Sequence, residues 1–341
     1  MSRKHNVFVF SALVLLSIVF FAGDLLAGSA DLSLSEVLRL IAGGGDNSVH
    51  SLILFDFRLP AAFAALLVGA GLSVSGLLMQ SLFRNPLAGP YVLGVSSGAS
   101  LSVALFIMVG GLGIVAVSSS SWLLALFAIT GSVAVLLLVM LISGRVRDSV
   151  SLLIVGIMLA GITSSVVSIL QYFTTPELLR HFVVWTFGSL GGINYPQLAV
   201  ILPVVLLGIL SSVAMQKSLN SILLSDNYAR LLGVSVKRLR LAIILTTGLM
   251  AGVITAFAGP VVFVGVAVPH LTRSMFRTSD HRILVPGTVL TGAVFMLLCD
   301  IASRSAGFDT PLPINAVSSL VGAPVIIWIV VKNRRLRTAN F

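Results

Sequence analysis

The chain is 341 residues long, 57% hydrophobic and only 9% charged, with mean hydropathy +1.10 and net charge +10. Soluble domains carry about 25% charged residues. This composition therefore excludes a soluble enzyme or a nucleic-acid binder, despite the positive charge, and specifies a polytopic membrane protein. Long apolar runs without strand-like alternation specify an all-α chain rather than an outer-membrane barrel.

Ten hydrophobic segments follow one another: Val7–Ala27, Leu59–Leu82, Pro90–Gly110, Trp122–Ser143, Val150–Phe173, Gln197–Met215, Leu241–Ala258, Pro260–Pro269, Ile283–Ser303 and Pro313–Val331. The first follows MSRKHN. Its apolar core is longer than the roughly 7–15 residues of a signal-peptide core, so it reads as a retained span. The second carries the small-residue run Val68–Gly76, which suits close helix packing or a translocation lining. A span needs about 20 residues. The third segment is rich in Gly and Ser and the eighth is short by itself, so both are expected to be broken or partial spans buried in protein.

Between the fifth and sixth segments, Thr174–Pro196 holds Glu177, Arg180, His181 and Trp185 and is expected to form a short interfacial helix. Trp122 and Trp185, near segment ends, suit an aromatic belt. Between the sixth and seventh lies the longest polar break, Lys217–Arg240, with five cations (Lys217, Arg230, Lys237, Arg238 and Arg240) and one acid, Asp226. A plain connector needs only about two to eight residues. The apolar clusters Leu219, Ile222, Leu223 and Leu231, Leu232, Val234 fit small amphipathic helices, and Gly233 fits a C′ glycine closing the first of them. This stretch is expected to be a docking platform for a cytoplasmic partner. Cys299, the single cysteine, lies in a hydrophobic span and reads as a small buried residue.

Charge placement supports ten spans. Threading the chain ten times puts seventeen of the 21 cations on the side of the termini and the platform. Only Arg39, Arg58, Arg180 and Arg304 fall opposite, and the acids sort the other way, with Asp148, Asp226 and Asp280 on the platform side. The positive-inside rule then predicts cytoplasmic termini and a cytoplasmic platform.

The chain has four lysines, which follow Arg, Gln or Val and never Gly, so it has no Walker A phosphate cradle. ATP-driven transport would require a separate ATPase. Neither a metal-ligand cluster nor a Ser/His/Asp arrangement stands out. His270 and His281 read as surface or interface histidines rather than ligands. Span centres are nearly uncharged, with Asp24 and Asp300 near outer ends, which disfavours the main rival, an ion-coupled carrier.

Arg58-Leu-Pro60, Gly69-Ala70, Ser75-Gly76, Gln80, Arg84-Asn-Pro-Leu-Ala88, Pro90, Leu93-Gly94 and Gly98-Ala99 together resemble the FecCD-type permeases. Later stretches agree: Ala229 with Leu232-Gly233-Val234, Gly259–Gly265, Pro269–Arg273, Asp280–Arg282, Asp300 with Arg304, Leu312-Pro313 and Gly322–Pro324. The resemblance spans residues 58–332. It implies a single permease domain over 1–341 with the fold of a type II ABC importer permease: a ten-helix subunit of the bacterial inner membrane. A homodimer would surround a central path, joined by two cytoplasmic ATPase subunits that bind ATP and Mg and by a periplasmic binding protein.

The resemblance places the coupling segment at 217–240, with Ala229, Leu231, Leu232, Gly233 and Val234 as its contacts. The loops holding Arg84, Asn85, Pro86, Pro269 and His270 are expected to complete the cytoplasmic seat. Arg58 and Arg304 match arginines that meet acids on the binding protein, whereas Ala61 stands where the family often has a further arginine. The expected cargo is an iron-siderophore chelate, the broadest class in the family, with cobalamin or haem as alternatives.

Overall fold

The structure is a computed structural model that describes residues 3–28, 30, 32–43, 48–109, 121–146, 149–305 and 310–338, with side chains between 4 and 327. Every regular element among them is helical. In chain order these are α1 (Arg3–Leu26), α2 (Leu34–Ile41), α3 (Val49–Leu52), a π-helical turn (Ile53–Arg58), α4 (Leu59–Phe83), a 3-10 turn (Pro90–Leu93) and α5 (Val95–Met108). Then come α6 (Ser121–Ser143), α7 (Ser149–Phe173), α8 (Pro176–Phe187), α9 (Tyr195–Ala214), α10 (Gln216–Leu224), α11 (Asp226–Leu231), α12 (Val236–Ala258), α13 (Val264–Phe276), α14 (His281–Arg304) and α15 (Ile314–Thr338).

Among the described residues, seven stretches are long and apolar enough to cross a membrane: α1, the rod formed by α3, the π turn and α4, then α6, α7, α9, α12 and α14. They match seven of the expected segments. The third, eighth and tenth segments appear as α5, α13 and α15. Arg147 and Asp148 of the charge partition, and Gly110 of the third segment, lie outside the described residues, as do the side chains of Lys332, Arg334, Arg335 and Arg337.

The core is built on α4, α12 and α14. In α4 nearly every residue from Pro60 to Phe83 is buried, whereas α7 buries only Leu152, Gly156, Thr163 and Val167. The cause is side-chain size. A Cβ added at Gly69 would lie 2.1 Å from the Gly292 carbonyl oxygen, and one at Gly292 would lie 2.3 Å from that of Gly69. Backbones this close exclude lipid and gain dispersion contacts that larger residues would forbid. The run Val68–Gly76 is therefore largely a packing surface.

The eighth segment begins later than its hydropathy indicates. Gly259 (φ 76°) ends α12, and the backbone stays irregular to Phe263 (φ 68°). Partners from other elements satisfy it: the Val261 N–H donates to the Tyr91 hydroxyl at 3.2 Å and the Val262 N–H to Asn315 Oδ1 at 3.2 Å. Non-helical backbone persists within a membrane protein only with such partners. The π turn before α4 is similarly supported, because the Tyr195 hydroxyl donates to the Phe55 carbonyl at 2.8 Å.

Candidate functional site

The polar break forms two short helices, α10 and α11. Ser225 caps α11 by accepting the Tyr228 N–H at 2.9 Å. Gly233 (φ 79°) closes it, with the Val234 N–H on the Ala229 carbonyl at 3.0 Å and the Gly233 N–H on that of Arg230 at 3.0 Å. The turn lifts a pair of leucines off the surface: Leu231 is 85% exposed and Leu232 58% exposed. Tyr228 and Leu224 are exposed beside them. Arg230, Lys237 and Arg238 flank the knob, exposed. Ala229 points the other way and is fully buried, so it seats the knob and does not present a surface.

Beneath the knob, polar side chains join loops that are distant in sequence. Arg84, in the left-handed region (φ 46°) at the end of α4, donates from Nε to the Ile222 carbonyl at 2.8 Å and forms an ion pair with Asp226. His270 Nε2 meets the Pro86 carbonyl at 2.8 Å, and Asn85 Oδ1 accepts the Leu87 N–H at 2.9 Å. Pro269 is buried inside α13. The five expected seat residues thus fall into one neighbourhood, with Arg84 directly on the coupling segment. Gln80 Nε2 donates to the Val266 carbonyl at 3.3 Å while its Oε1 takes a hydrogen bond from Arg273, fastening α4 to α13.

Asp280 caps α14 by accepting the Arg282 N–H at 3.0 Å. Desolvation pushes the Asp280 carboxyl up, but hydrogen bonds from Arg282 and Asn220 and the nearby positive charges outweigh it and hold the carboxyl below its ordinary value. His281 is not at the surface: it is fully buried between α4, α10 and α14.

Arg58 and Arg304 lie at the opposite end, and neither presents an open fork. Arg58 is 4% exposed and donates to the Leu25 carbonyl at 2.8 Å, Leu26 at 3.0 Å and Ala30 at 2.5 Å, closing the end of α1. Hydrogen bonds from a charged donor contribute about 1.5–3 kcal/mol each. Arg304 forms an ion pair with Asp300 one turn earlier, and the pair is almost wholly buried. Asp24, also buried, faces Asp300. Arginines expected as docking cations are thus engaged within the chain, because the carbonyls at the end of α1 and the Asp300 carboxylate need donors where water is scarce. A cleft of about 220 Å³ opens beside Arg304, lined also by Phe187, Gly188, Pro311 and Leu312.

The family model of the FecCD transport family matches residues 14–332. This chain belongs to the FecCD transport family. The vitamin B12 import system permease protein BtuC of Salmonella paratyphi A is 36% identical over 310 residues, covering 89% of this chain and 93% of that protein. The BtuC of Salmonella typhi matches to the same extent, at 36% identity over 310 residues. A solved structure described as an inward-facing conformation of a metal-chelate type ABC transporter aligns with TM-score 0.83 and 32% identity, covering 95% of this chain and 99% of that one.

This FecCD-family chain is therefore an ABC importer permease, a transport component whose ATPase is a separate subunit. The knob of this permease was legible from Gly233 and the leucines around it. The polar ties of Gln80, Ser81, Asn220, Arg273 and His281 were not, because each is a single polar residue on a different element and no spacing links them.

Proposed function

We propose that this chain is the inner-membrane permease of an importer that carries a bulky metal chelate inward. Ten crossings, with α5 and α13 as the short or broken ones, put the termini and the leucine knob in the cytoplasm. Two copies would enclose the path. One ATPase would seat against each knob, and a binding protein would deliver cargo at the opposite end. The observation that carries this reading is the Leu231–Leu232 pair, exposed beside cations and outside the helices long and apolar enough to span a membrane. Exposed apolar groups rimmed by charge mark a protein partner.

At the outer end, Arg58 and Arg304 would act by holding the rim loops in shape as the binding protein docks, with the cleft beside Arg304 receiving part of it. A face of α7 supports a neutral path: Gly161, Ser164, Ser165 and Ser168 are exposed along it. The Ser165 and Ser168 hydroxyls are spent on carbonyls four residues earlier, at 2.9 and 3.0 Å. Such a surface offers a large chelate little to grip. The related BtuC proteins are named for vitamin B12 and the solved relative for a metal chelate, so both cobalamin and ferric chelates belong in the test.

Proteoliposomes holding the permease, its ATPase and its binding protein are expected to take up cyanocobalamin or a ferric hydroxamate only when ATP and all three components are present. Uptake of either by the permease alone would instead establish the ion-coupled carrier. Topology has its own check. Cys299 is buried, so replacing it with alanine leaves a cysteine-free background. Lys217→Cys is expected to react with an impermeant maleimide only from the cytoplasm and Ser189→Cys only from outside; the reverse pattern would overturn the orientation.

A further inference from the structure

The coupling segment is joined to two membrane helices by one chain of hydrogen bonds through Asn220, which is half-buried, and His281, which is fully buried. Asn220, in the middle of α10, has its amide orientation set by its neighbours. Its Oδ1 accepts the backbone N–H of His281 at 2.9 Å, and its Nδ2 donates to Asp280 Oδ1 at 2.6 Å. The His281 ring nitrogen Nδ1 lies 2.8 Å from the same Oδ1, an atom that only accepts, so Nδ1 carries a hydrogen. At the far side of the ring, Nε2 lies 2.7 Å from Ser81 Oγ on α4. In the neutral ring Nε2 accepts the Ser81 hydrogen. If Nε2 is protonated, that hydroxyl turns to the Leu77 carbonyl at 2.8 Å, and the chain stays closed. His281 and Ser81 are both fully buried.

This chain occupies a mechanical position. Ser81 lies one turn before Arg84, which holds the same part of the segment through Ile222 and Asp226. His281 is the first residue of α14. Farther along, α4 and α14 touch backbone to backbone at Gly69 and Gly292, so a displacement of their near ends acts on a crossing with no slack. A knob pushed by its partner acts on α4 and α14 through these directional polar bonds as well as through the apolar packing of Leu219, Ile222 and Ala229.

We infer that Asn220 and His281 are positioning residues that pass movement of the coupling segment into α4 and α14. The inference rests on the proposed importer function. Its measure is molecules of cyanocobalamin imported per ATP hydrolysed by the full complex in proteoliposomes, with a ferric hydroxamate substituted if the unaltered complex carries that instead. Asn220→Asp sets a carboxylate against Asp280 and is expected to lower this ratio at least fivefold. Adding Asp280→Asn restores a donor facing an acceptor and is expected to recover most of the loss. Ser81→Ala, which removes one oxygen, is expected to lower the ratio about threefold even if Asn220→Asp assembles poorly.

A merely structural role would reduce assembly, hydrolysis and uptake together and leave the ratio unchanged. An unchanged ratio in Ser81→Ala, or a ratio in assembled Asn220→Asp that Asp280→Asn does not recover, would overturn the inference. Failure of the unaltered complex to import either probe would count against the proposed function itself.

Discussion

Changing Leu231 and Leu232 together to glutamate is expected to release the ATPase from the permease and abolish uptake. Each leucine side chain contributes about 1.5–3 kcal/mol when buried, and both are largely open in the permease chain. Glutamates in their place would have to be desolvated against an apolar socket. The combined effect is a loss of at least about 2.7 kcal/mol, or roughly a hundredfold in affinity. Arg230, Lys237 and Arg238 nearby would ease the new charges in the free chain, which widens the gap between free and bound states. Co-purification of the ATPase, read beside ATP-dependent uptake, measures the loss. The permease itself should melt as before, because surface changes of this kind usually shift stability by under about 0.5 kcal/mol. Normal co-purification and uptake would remove the knob from coupling.

A second large effect is expected at the crossing of α4 and α13. A Cβ on Gly76 would lie 1.6 Å from the Gly265 carbonyl oxygen and 2.7 Å from its Cα. Ordinary contact needs about 3.5–4.0 Å between carbon atoms. The obstruction is backbone, so no rotamer relieves it, and the helices must separate. Gly265 is equally tight against α4, since a Cβ added to it would lie 2.9 Å from the Leu72 carbonyl oxygen and 2.4 Å from Pro90 Cδ. Gly76→Ala is therefore expected to reduce the yield of monodisperse permease in detergent at least tenfold. Gly161→Ala is the contrast: nothing lies within 4 Å of its added Cβ, and alanine is the better helix former by about 1 kcal/mol. Equal yields for the two would show that the crossing is less tight than its geometry indicates.

The two ends of the molecule differed in legibility for a physical reason. Hydropathy marks where lipid replaces water, so helix positions emerged from composition alone. The ends of α4, α6, α7, α9 and α14 fall within one or two residues of the expected segments. The eighth segment shifted because Gly259 and Phe263 adopt positive φ and their neighbours' N–H groups find Tyr91 and Asn315, partners on other elements. Arg58 was legible as a cation at the start of a hydrophobic segment, yet hydropathy contains no information about the α1 carbonyls that occupy it.

From its order of residues alone, this chain determined that it is a helical membrane protein, where its helices run, and that its polar break ends in a glycine-closed leucine turn. Those features depend on local apolarity and on backbone preferences of single residues, which act over a few positions. Only the tertiary structure decided that Arg58 and Arg304 turn inward and that His281 meets both Asn220 and Ser81. Such pairings are set by how helices cross, and the crossings follow from glycines meeting backbone to backbone between segments hundreds of residues apart.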